Sequence, residues 1–158
     1  MVDFLVIGSY LSVGNANMFS LIKNRNICLG YNKVSYFDNN NKSVVCRWFS
    51  NMKEDYPPML LLKEYKEGEY SKYDHFAAIN IDKLEDIPDY DGIIGVPVSF
   101  LDVWNPEQFE LVYASDYIDD VLFSNRSCML LNCNGGEAAA VDGKKKFSRI
   151  LIRRRKDG

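Results

Sequence analysis

The chain has 158 residues, of which 47% are apolar and 26% charged, and this length and balance predict a single globular domain spanning residues 1–158. Every apolar run is far shorter than the roughly 20 residues that cross a bilayer, which argues against a membrane protein. The N-terminus has no signal-peptide pattern, so we expect a cytoplasmic protein. The four cysteines and one histidine lack the short spacings of a zinc site, so no metal ligand is predicted.

Charge is unevenly distributed along the chain, although the net charge is only −3. Residues 143–158 contain eight Lys and Arg against one Asp, whereas the rest of the chain holds eleven basic and twenty-one acidic residues. Such a basic end on an acidic body can contact DNA phosphates, and binding of that kind depends steeply on salt. The alternative is a solvated C-terminal strand with basic flanks.

The start of the chain predicts a strand, a helix and a second strand. Residues 4–8 (FLVIG) form a continuous apolar run, which is typical of a buried strand. Apolar residues recur at helical spacing over 18–22, and residues 27–31 again have the pattern of a strand. This order predicts a βαβ-like start, the one indication of a parallel, doubly wound element.

The middle of the chain predicts antiparallel structure and loops. Residues 34–37 and 43–49 flank an Asn-rich turn, which predicts a hairpin because Asn tolerates positive φ. Residues 63–74 are rich in charge and predict a surface loop. Residues 86–92 contain a Pro and a Gly and predict a turn.

The remaining segments complete a sheet-rich chain. Asn105 is predicted to cap a single helical turn that begins at Pro106. The other predicted strands are 59–62, 76–81, 93–101, 110–113 and 147–152. Pro97 is predicted to mark an edge or a bulge, and residues 116–140 fit no clear pattern. The predicted fold class is α/β and β-rich, with one βαβ-like start followed by a mainly antiparallel sheet.

The residues by themselves indicate no catalytic group. A dinucleotide-type cofactor site needs a Gly at the bend after its first strand and an acid at the end of the next strand. Gly8 follows the first strand, but the second strand ends without an acid. No Ser or Cys can be matched to His75 as a nucleophile and base. We therefore predict no catalytic residue.

Several blocks along the chain together carry a family resemblance. They are FLVIG at 4–8, SLIK at 20–23, LGY at 29–31, WFSN at 48–51, YSKYD at 70–74, IPDYDGIIGVPVSFLDVWNPEQFE at 87–110 and FSRILIRR at 147–154. In this order and spacing they resemble the C-terminal half of the EcoRI-type adenine-specific DNA methyltransferase family. The block at 87–110 is the specific part, and residues 116–140 cannot be placed.

The resemblance implies a partial Rossmann-like methyltransferase fold and methylation of adenine N6 by S-adenosylmethionine. In that family a cofactor-binding strand and turn come first, followed by an Asn-Pro-Pro-Phe motif that holds the amine of a flipped-out adenine. Both are expected upstream of the matched region. The one Pro-Pro pair of this chain, Pro57-Pro58, follows Tyr56 and not Asn, so it does not match the Asn-Pro-Pro-Phe motif. We therefore expect that the chain alone binds no cofactor, and that it uses S-adenosylmethionine only when an N-terminal half completes it.

The resemblance also suggests contacts with a base or with DNA. The block at 48–51 lies where such enzymes place an aromatic near the flipped base, and stacking there contributes roughly 1–3 kcal/mol per base. The alternatives are aromatics packed in a hairpin core and, for residues 73–74, a surface turn. The resemblance gives the candidate contacts Trp48, Phe49, Asn51, Tyr73 and Asp74, and the basic charge of the C-terminal end gives Lys144, Lys145, Arg149, Arg153, Arg154 and Arg155.

Three hypotheses follow for the role of the chain. The first is an incomplete methyltransferase portion that joins an N-terminal half, because an exposed apolar strand edge favours pairing with that half or with a second copy. The second is a stand-alone binding protein, such as a phage or mobile-element inhibitor of a host CRISPR or restriction nuclease, whose acidic body meets a basic surface. The third is a simple DNA-binding module, against which the net negative charge argues.

Overall fold

The computed structural model describes residues 2–30, 35–36, 43–44, 46–53, 55–112, 139–146 and 149–156. These residues contain eleven β-strands and one α-helix, which confirms the α/β, β-rich class. The chain divides into two compact units, residues 1–55 (unit 1) and residues 56–158 (unit 2). The single domain expected from the chain length stays a prediction. Within the described ranges, no helix is long and apolar enough to cross a membrane.

Unit 1 contains the predicted strand, helix and strand in the predicted order. Its elements are β1 Leu5–Ser9, a 3-10 helix Tyr10–Gly14, α1 Ala16–Lys23, β2 Cys28–Gly30, β3 Ser35–Tyr36, β4 Ser43–Val44 and β5 Cys46–Ser50. Asn15 caps the helix α1, because its side-chain oxygen accepts from the backbone N–H of Asn17 at 3.0 Å. Phe19 and Ile22 form its buried face.

The strand β5 lies between β1 and β2 in a three-stranded sheet. Both outer strands run antiparallel to β5, so β1 and β2 are parallel to each other without being neighbours. The βαβ-like order is therefore confirmed. The pairing differs from that of a simple βαβ unit, because a later strand of the chain separates the two parallel strands.

The strand β1 is exposed, so the prediction that it is buried is wrong for this chain by itself. Leu5, Val6 and Ile7 are 52%, 50% and 43% exposed, and alternation along the strand spreads them over both faces. A run that is apolar on both faces is typical of a strand covered on both sides. The apolar pattern of a strand shows that its side chains are suited to burial, but it does not show which elements cover its two faces.

The predicted hairpin of unit 1 is confirmed in its strands. Ser35 pairs with Val44 and Tyr36 with Ser43 in antiparallel register. The Asn-rich turn between them lies outside the described residues. The second predicted strand is divided, because β5 leaves the hairpin and joins the three-stranded sheet.

Unit 2 is built on a four-stranded mixed sheet in the order β6-β7-β11-β8. Its elements are β6 Ala78–Asn80, a 3-10 helix Leu84–Asp86, β7 Ile93–Pro97, a 3-10 helix Val98–Asp102, β8 Phe109–Val112, β9 Ala140–Val141, β10 Lys144–Lys145 and β11 Arg149–Arg154. The pair β6 and β7 is parallel, and the other described pairs are antiparallel, as predicted. The two central strands bury Ile94, Val96, Ile150 and Ile152 completely.

Two predictions for unit 2 are corrected by the structure. No strand forms over 59–62, because the backbone N–H and carbonyl of Leu60 bond the side chain of Gln108, both at 2.7 Å. Pro97 does not mark an edge, since β7 pairs on both sides. It is the last residue of β7, where a residue without an N–H interrupts the sheet least.

The predicted turn at Asn105 is confirmed. Its side-chain oxygen accepts from the N–H of Glu107 at 2.8 Å, and its backbone carbonyl accepts from Phe109 at 3.0 Å. The side-chain amide also donates to the carbonyl of Pro57 at 2.8 Å. The turn therefore leads into β8 and anchors the start of unit 2. Residues 116–138 lie outside the described residues.

Candidate functional site

A partly buried cluster of polar side chains lies where β6 ends. We call it the polar cluster, and its members are Tyr73, Asn80, Asp82, Lys146 and Arg149. Strand alternation places Asn80 and Asp82 on one side of the chain, whereas Ile81 between them is buried on the other. The sequence thus brings an amide and a carboxylate together at the carboxyl end of a strand.

The members of the polar cluster form a continuous series of hydrogen bonds. The hydroxyl of Tyr73 donates to Oδ1 of Asn80 at 2.9 Å, and Nδ2 of Asn80 donates to Oδ1 of Asp82 at 3.2 Å. Nζ of Lys146 donates to Oδ2 of Asp82 at 2.8 Å. Nη2 of Arg149 donates to Oδ1 of Asp82 across 67 positions of the chain. The series links β6 to the start of β11.

The ring of Tyr73 occupies the space above Gly95 in β7. A Cβ atom at Gly95 would lie 2.2 Å from the hydroxyl oxygen of Tyr73, a distance that no side chain tolerates. Glycine is needed at this position because the ring fills the volume of a side chain. Burial raises the pKa of Tyr73, and the charge of Arg149 only partly opposes this. The hydroxyl therefore stays protonated and donates to Asn80.

The carboxylate of Asp82 is held in its ionised form. The hydrogen bond from Lys146 lowers its pKa most, partial burial opposes this, and the bond from Asn80 and the charge of Arg149 lower it further. A carboxylate with a depressed pKa is a weak general base near neutral pH, because catalytic bases need a pKa close to the working pH. The polar cluster therefore suits binding and positioning rather than proton transfer.

Replacing Asp82 by asparagine is expected to lower the free energy of unfolding at neutral pH and to lower it less at acidic pH. The folded pKa lies below the unfolded value of about 3.9. The stabilisation is therefore fully present above that value and is lost as the pH falls through the folded pKa. Urea unfolding of both proteins from neutral to acidic pH measures the difference, with the exposed Glu107→Gln as a charge-removal control. A stability gap that widened on acidification would contradict the assignment.

Asp74 holds a β-hairpin formed by β9 and β10. Its two carboxylate oxygens accept from the backbone N–H groups of Asp142 and Gly143, both at 2.9 Å. These turn residues have φ of 50° and 70°, as the tight Asp-Gly turn of a two-residue hairpin requires. The backbone N–H of Asp74 also donates to the carbonyl of Ala140 at 3.0 Å. Asp74 thus fastens the hairpin that carries Lys144–Lys145.

The predicted aromatic block lies on β5 in unit 1. Phe49 is buried, and a Cβ at Gly8 would lie 2.9 Å from its ring, so Phe49 packs over Gly8. Trp48 is half-buried and points to the opposite face of the strand. The two rings therefore cannot stack on one base together. Asn51 accepts from the backbone N–H of Phe4 at 2.8 Å and fastens the segment before β1.

Several of the basic residues at the end of the chain form ion pairs with acids of unit 2. The pairs are Arg149 with Asp82, Arg153 with Glu110 at 2.9 Å, Arg154 with Asp89 and Lys156 with Asp91 at 3.1 Å. Lys144, Lys145 and Arg155 are exposed and belong to none of these pairs. Part of the basic end is therefore neutralised by the acidic body of the same chain.

The structure brings only part of the predicted set together. In unit 2, Tyr73 is linked through the polar cluster to Arg149, and Asp74 holds the hairpin with Lys144–Lys145. The block of Trp48 to Asn51 lies in unit 1 and is no part of the polar cluster. Within the described part of the chain, no group of His, Cys, Asp or Glu is arranged to hold a metal ion.

Sequence reasoning missed Asn80 and Asp82, the residues at the centre of the polar cluster. A signal was present, since residues 78–82 read Ala-Ile-Asn-Ile-Asp and alternate apolar with polar side chains at the end of the segment. That alternation places both polar groups on one face. Their partner Arg149 could not be identified in the same way, because nothing local to residues 78–82 points to a residue so far along the chain.

Comparison with known proteins identifies relatives over nearly the whole chain. The family model described as adenine-specific methyltransferase EcoRI matches residues 38–155. The chain is 30% identical to the type II methyltransferase M.EcoRI of Escherichia coli, with 97% of this chain and 50% of that protein covered. It is 33% identical to the type II methyltransferase M.MgeORF184P of Mycoplasma genitalium, with 96% of this chain and 57% of that protein covered.

A third relative, the type II methyltransferase M.MpnI of Mycoplasma pneumoniae, is 28% identical, with 98% of this chain and 57% of that protein covered. No solved structure matches the chain. The chain spans about half the length of the curated relatives it matches, which fits the prediction that it corresponds to one half of such an enzyme. By the match over residues 38–155, the chain belongs to the EcoRI-type adenine-specific methyltransferase family.

Proposed function

We propose that this chain is the DNA-handling portion of an adenine-N6 DNA methyltransferase and that it methylates DNA only together with the rest of the enzyme. One observation carries the proposal. The relatives align with nearly all of this chain, whereas the chain spans only 50% to 57% of their length. Since those relatives are type II methyltransferases, the methyl donor of the whole enzyme would be S-adenosylmethionine and the acceptor would be DNA adenine.

The residues around β1 do not fit S-adenosylmethionine. A cofactor turn needs open space beside the Gly at its bend, but the ring of Phe49 fills the space at Gly8. The strand β2 ends at Gly30, and residues 31–33 that follow it include no acid to bind a ribose. The sequence also contains no Asn-Pro-Pro-Phe motif. Cofactor binding and the grip on the adenine amine are therefore assigned to the rest of the enzyme.

The strand β1 supports assembly with a further sheet. In the described sheet it pairs on one side only, with β5, and Leu5, Val6 and Ile7 are half-exposed on its two faces. An apolar strand with a free edge favours pairing with another strand. The parallel direction of β1 and β2 around α1 supports the partial Rossmann-like fold that the resemblance implies, with the rest of that sheet supplied by the remainder of the enzyme.

For contact with DNA phosphates we favour the exposed lysines of the hairpin. Lys144–Lys145 form the strand β10 that follows the turn held by Asp74, and Arg155 at the end of the chain is also exposed. Each phosphate that such groups neutralise strengthens binding at low salt. Arg149 is buried and bonded to Asp82, which fits a structural role better than a DNA contact.

For contact with a flipped base, Trp48 is the better placed member of its block. It is half-buried, whereas Phe49 is buried against Gly8 and Tyr73 is buried against Gly95 with its hydroxyl bonded to Asn80. A side chain must present one ring face to stack on a base. We therefore assign Phe49 and Tyr73 to packing and retain Trp48 as the candidate stacking residue.

The proposal is tested by reconstitution. The purified chain is expected to show no S-adenosylmethionine binding by isothermal titration and no transfer of labelled methyl groups to DNA. Mixing it with the cofactor-binding half of an EcoRI-type enzyme is expected to restore methylation at adenine N6. Tight cofactor binding and adenine methylation by the chain alone would overturn the proposal, as would a mixture that stays inactive although both halves are folded.

A variant of β1 tests the assembly surface. Val6→Lys is expected to lower the reconstituted activity by about tenfold at limiting concentrations, because burying a valine contributes about 1.5–3 kcal/mol. Leu61→Lys is the matched control, since Leu61 is 96% exposed and lies outside unit 1. Equal activity of the Val6→Lys and Leu61→Lys variants would show that β1 is not part of the interface.

The ion pairs of unit 2 weaken the alternative hypothesis of a stand-alone inhibitor of a host nuclease. It relied on the acidic body meeting a basic partner, and Asp82, Asp86, Asp89, Asp91 and Glu110 are all paired with Lys or Arg of the same chain. Pairing of this kind weakens the field that would attract a basic surface. Capture of a host nuclease in a pull-down, with no methyltransferase half, would favour this alternative.

A further inference from the structure

Three basic side chains at and just after the end of β11 are each paired with an acid of unit 2. The pairs are Arg153 with Glu110 at 2.9 Å, Arg154 with Asp89, and Lys156 with Asp91 at 3.1 Å. One acid lies on β8, and the other two lie on the loop that precedes β7. All six side chains are between 31% and 73% exposed, so dissolved ions reach these pairs. A phosphate group therefore approaches each cation in competition with a carboxylate.

The loop that carries Asp89 and Asp91 is held in place by its own backbone and by a ring contact. The N–H of Asp89 donates to the carbonyl of Lys63 at 2.7 Å, and the N–H of Lys63 donates to the carbonyl of Ile87 at 3.0 Å. Between the two acids, the ring of Tyr90 packs against the ring of Tyr65 with centroids 4.6 Å apart. The backbone at the two acids is therefore ordered before any pair with β11 forms.

The basic side of these pairs is also fixed by the backbone. Arg154 opposes Phe109 in the register of β11 and β8. The N–H of Arg155 donates to the carbonyl of Gln108 at 2.8 Å, which keeps the chain beyond Arg154 beside β8. Fixed backbones on both sides favour the pair of Arg154 with Asp89, because only the two side chains have to lose conformational freedom.

The ion pairs divide the basic end into occupied and available cations. Binding of DNA irrespective of its sequence depends on how many phosphates the cations of the protein neutralise. A cation that already has a carboxylate adds little to such binding, because the phosphate has to displace the carboxylate, which stays nearby and repels it. Lys144, Lys145 and Arg155 are exposed and belong to none of these pairs, so they are the available cations.

We propose that Asp89 and Asp91 limit the binding of DNA of arbitrary sequence by occupying Arg154 and Lys156. Both acids then act as specificity-determining residues, since they weaken the charge-driven part of binding and leave contacts with the bases unaffected. The inference rests on the proposed function, because it concerns the same DNA-handling portion. Its test needs neither the cofactor-binding half nor methylation, so the reconstitution experiment and this test can fail separately.

Fluorescence anisotropy of the full chain with a labelled DNA duplex of arbitrary sequence, over a series of salt concentrations, tests the inference. Asp89→Asn is expected to raise the affinity about fivefold to tenfold at about 0.1 M salt, because each additional phosphate contact steepens the plot of log affinity against log salt by about 0.9. Asp91→Asn is expected to act in the same way through Lys156. Glu107→Gln is the matched control, since it removes one negative charge at an exposed position that belongs to none of these pairs.

A double-variant cycle locates the effect at the paired cation. Adding Arg154→Gln to Asp89→Asn is expected to remove the gain, and Arg154→Gln is expected to weaken binding less in the wild-type background than in the Asp89→Asn background. Circular dichroism verifies the fold of each variant. Should Asp89→Asn not fold, Asp91→Asn with Lys156→Gln gives the same cycle at a more exposed pair.

Three outcomes would overturn the inference. They are equal gains in Asp89→Asn and Glu107→Gln, a gain that survives the loss of Arg154, and the absence of DNA binding by every folded variant at low salt. The first would assign the effect to net charge alone, and the second would assign it to another cation. Restored methylation in the reconstitution experiment alongside any of these outcomes would leave the proposed function standing without this role for the two acids.

Discussion

A Gly95→Ala variant is expected to lose about 1–3 kcal/mol of folding stability, because the new methyl group would overlap the ring of Tyr73. The added Cβ would lie 2.2 Å from the hydroxyl oxygen and 2.5 and 2.6 Å from two ring carbons. The ring cannot easily move aside, since it is buried, stacks on Phe76 at 4.5 Å and donates to Asn80. Urea unfolding followed by tryptophan fluorescence measures the loss.

Two controls separate this overlap from a general effect of replacing glycine. Gly92→Ala places a Cβ 2.4 Å from the ring of Tyr90, but that ring is half-exposed and can turn away, so a smaller loss is expected. Combining Gly95→Ala with Tyr73→Ala is expected to cost less than the sum of the single changes. Tyr73→Phe should give no such relief, because the ring carbons remain. Equal losses for Gly92→Ala and Gly95→Ala would exclude Tyr73 as the cause.

An Asp82→Ala variant is expected to lose about 1–3 kcal/mol, because it leaves the guanidinium of Arg149 without its carboxylate. The side chain of Arg149 is only 10% exposed, so water replaces the lost partner poorly. The side chain of Asp82 is 54% exposed, and this screening keeps the loss below the roughly 3–5 kcal/mol found when a fully buried pair is broken. Urea unfolding at neutral pH measures the effect.

Changing the partner as well should reverse part of this loss. The Asp82→Ala, Arg149→Met double variant is expected to be more stable than Asp82→Ala alone, because it removes the unpaired buried charge and retains an apolar side chain. Asp86→Ala, which breaks the exposed pair with Lys63, is the control and should cost less than about 1 kcal/mol. A double variant as unstable as the single variant would show that Arg149 does not depend on Asp82.

Much of the local structure could be predicted because its causes lie within a few residues. The helix α1 follows from a capping Asn15 and apolar residues at helical spacing, and the turn at Asn105 follows from one side chain that caps its own backbone. The strands β7 and β11 follow from continuous apolar runs that become buried on both faces. In each case the signal and the structure overlap, although the strand predicted over 93–101 ends at Pro97 and residues Val98–Asp102 form a 3-10 helix instead.

Predictions failed where a segment depends on a distant one. Residues 59–62 have the composition of a strand, but the side chain of Gln108, 48 positions from Leu60, takes both backbone hydrogen bonds of Leu60. The apolar run of β1 predicts burial, yet these side chains are half-exposed in this chain. The composition of a segment reports what it can form, and the partners available to it decide which option is realised.

The amino-acid sequence by itself determined the family, the β-rich class, the strand-helix-strand order at its start and the uneven charge, because these depend on residue identity and on short-range spacing. Only the tertiary structure decided that Arg149 meets Asp82 and that Asp74 holds the hairpin of Lys144–Lys145. It also showed that the Tyr73 ring needs a glycine beneath it. Such contacts join residues far apart in the chain, and the register of neighbouring strands, set by packing of the whole sheet, selects which of them form.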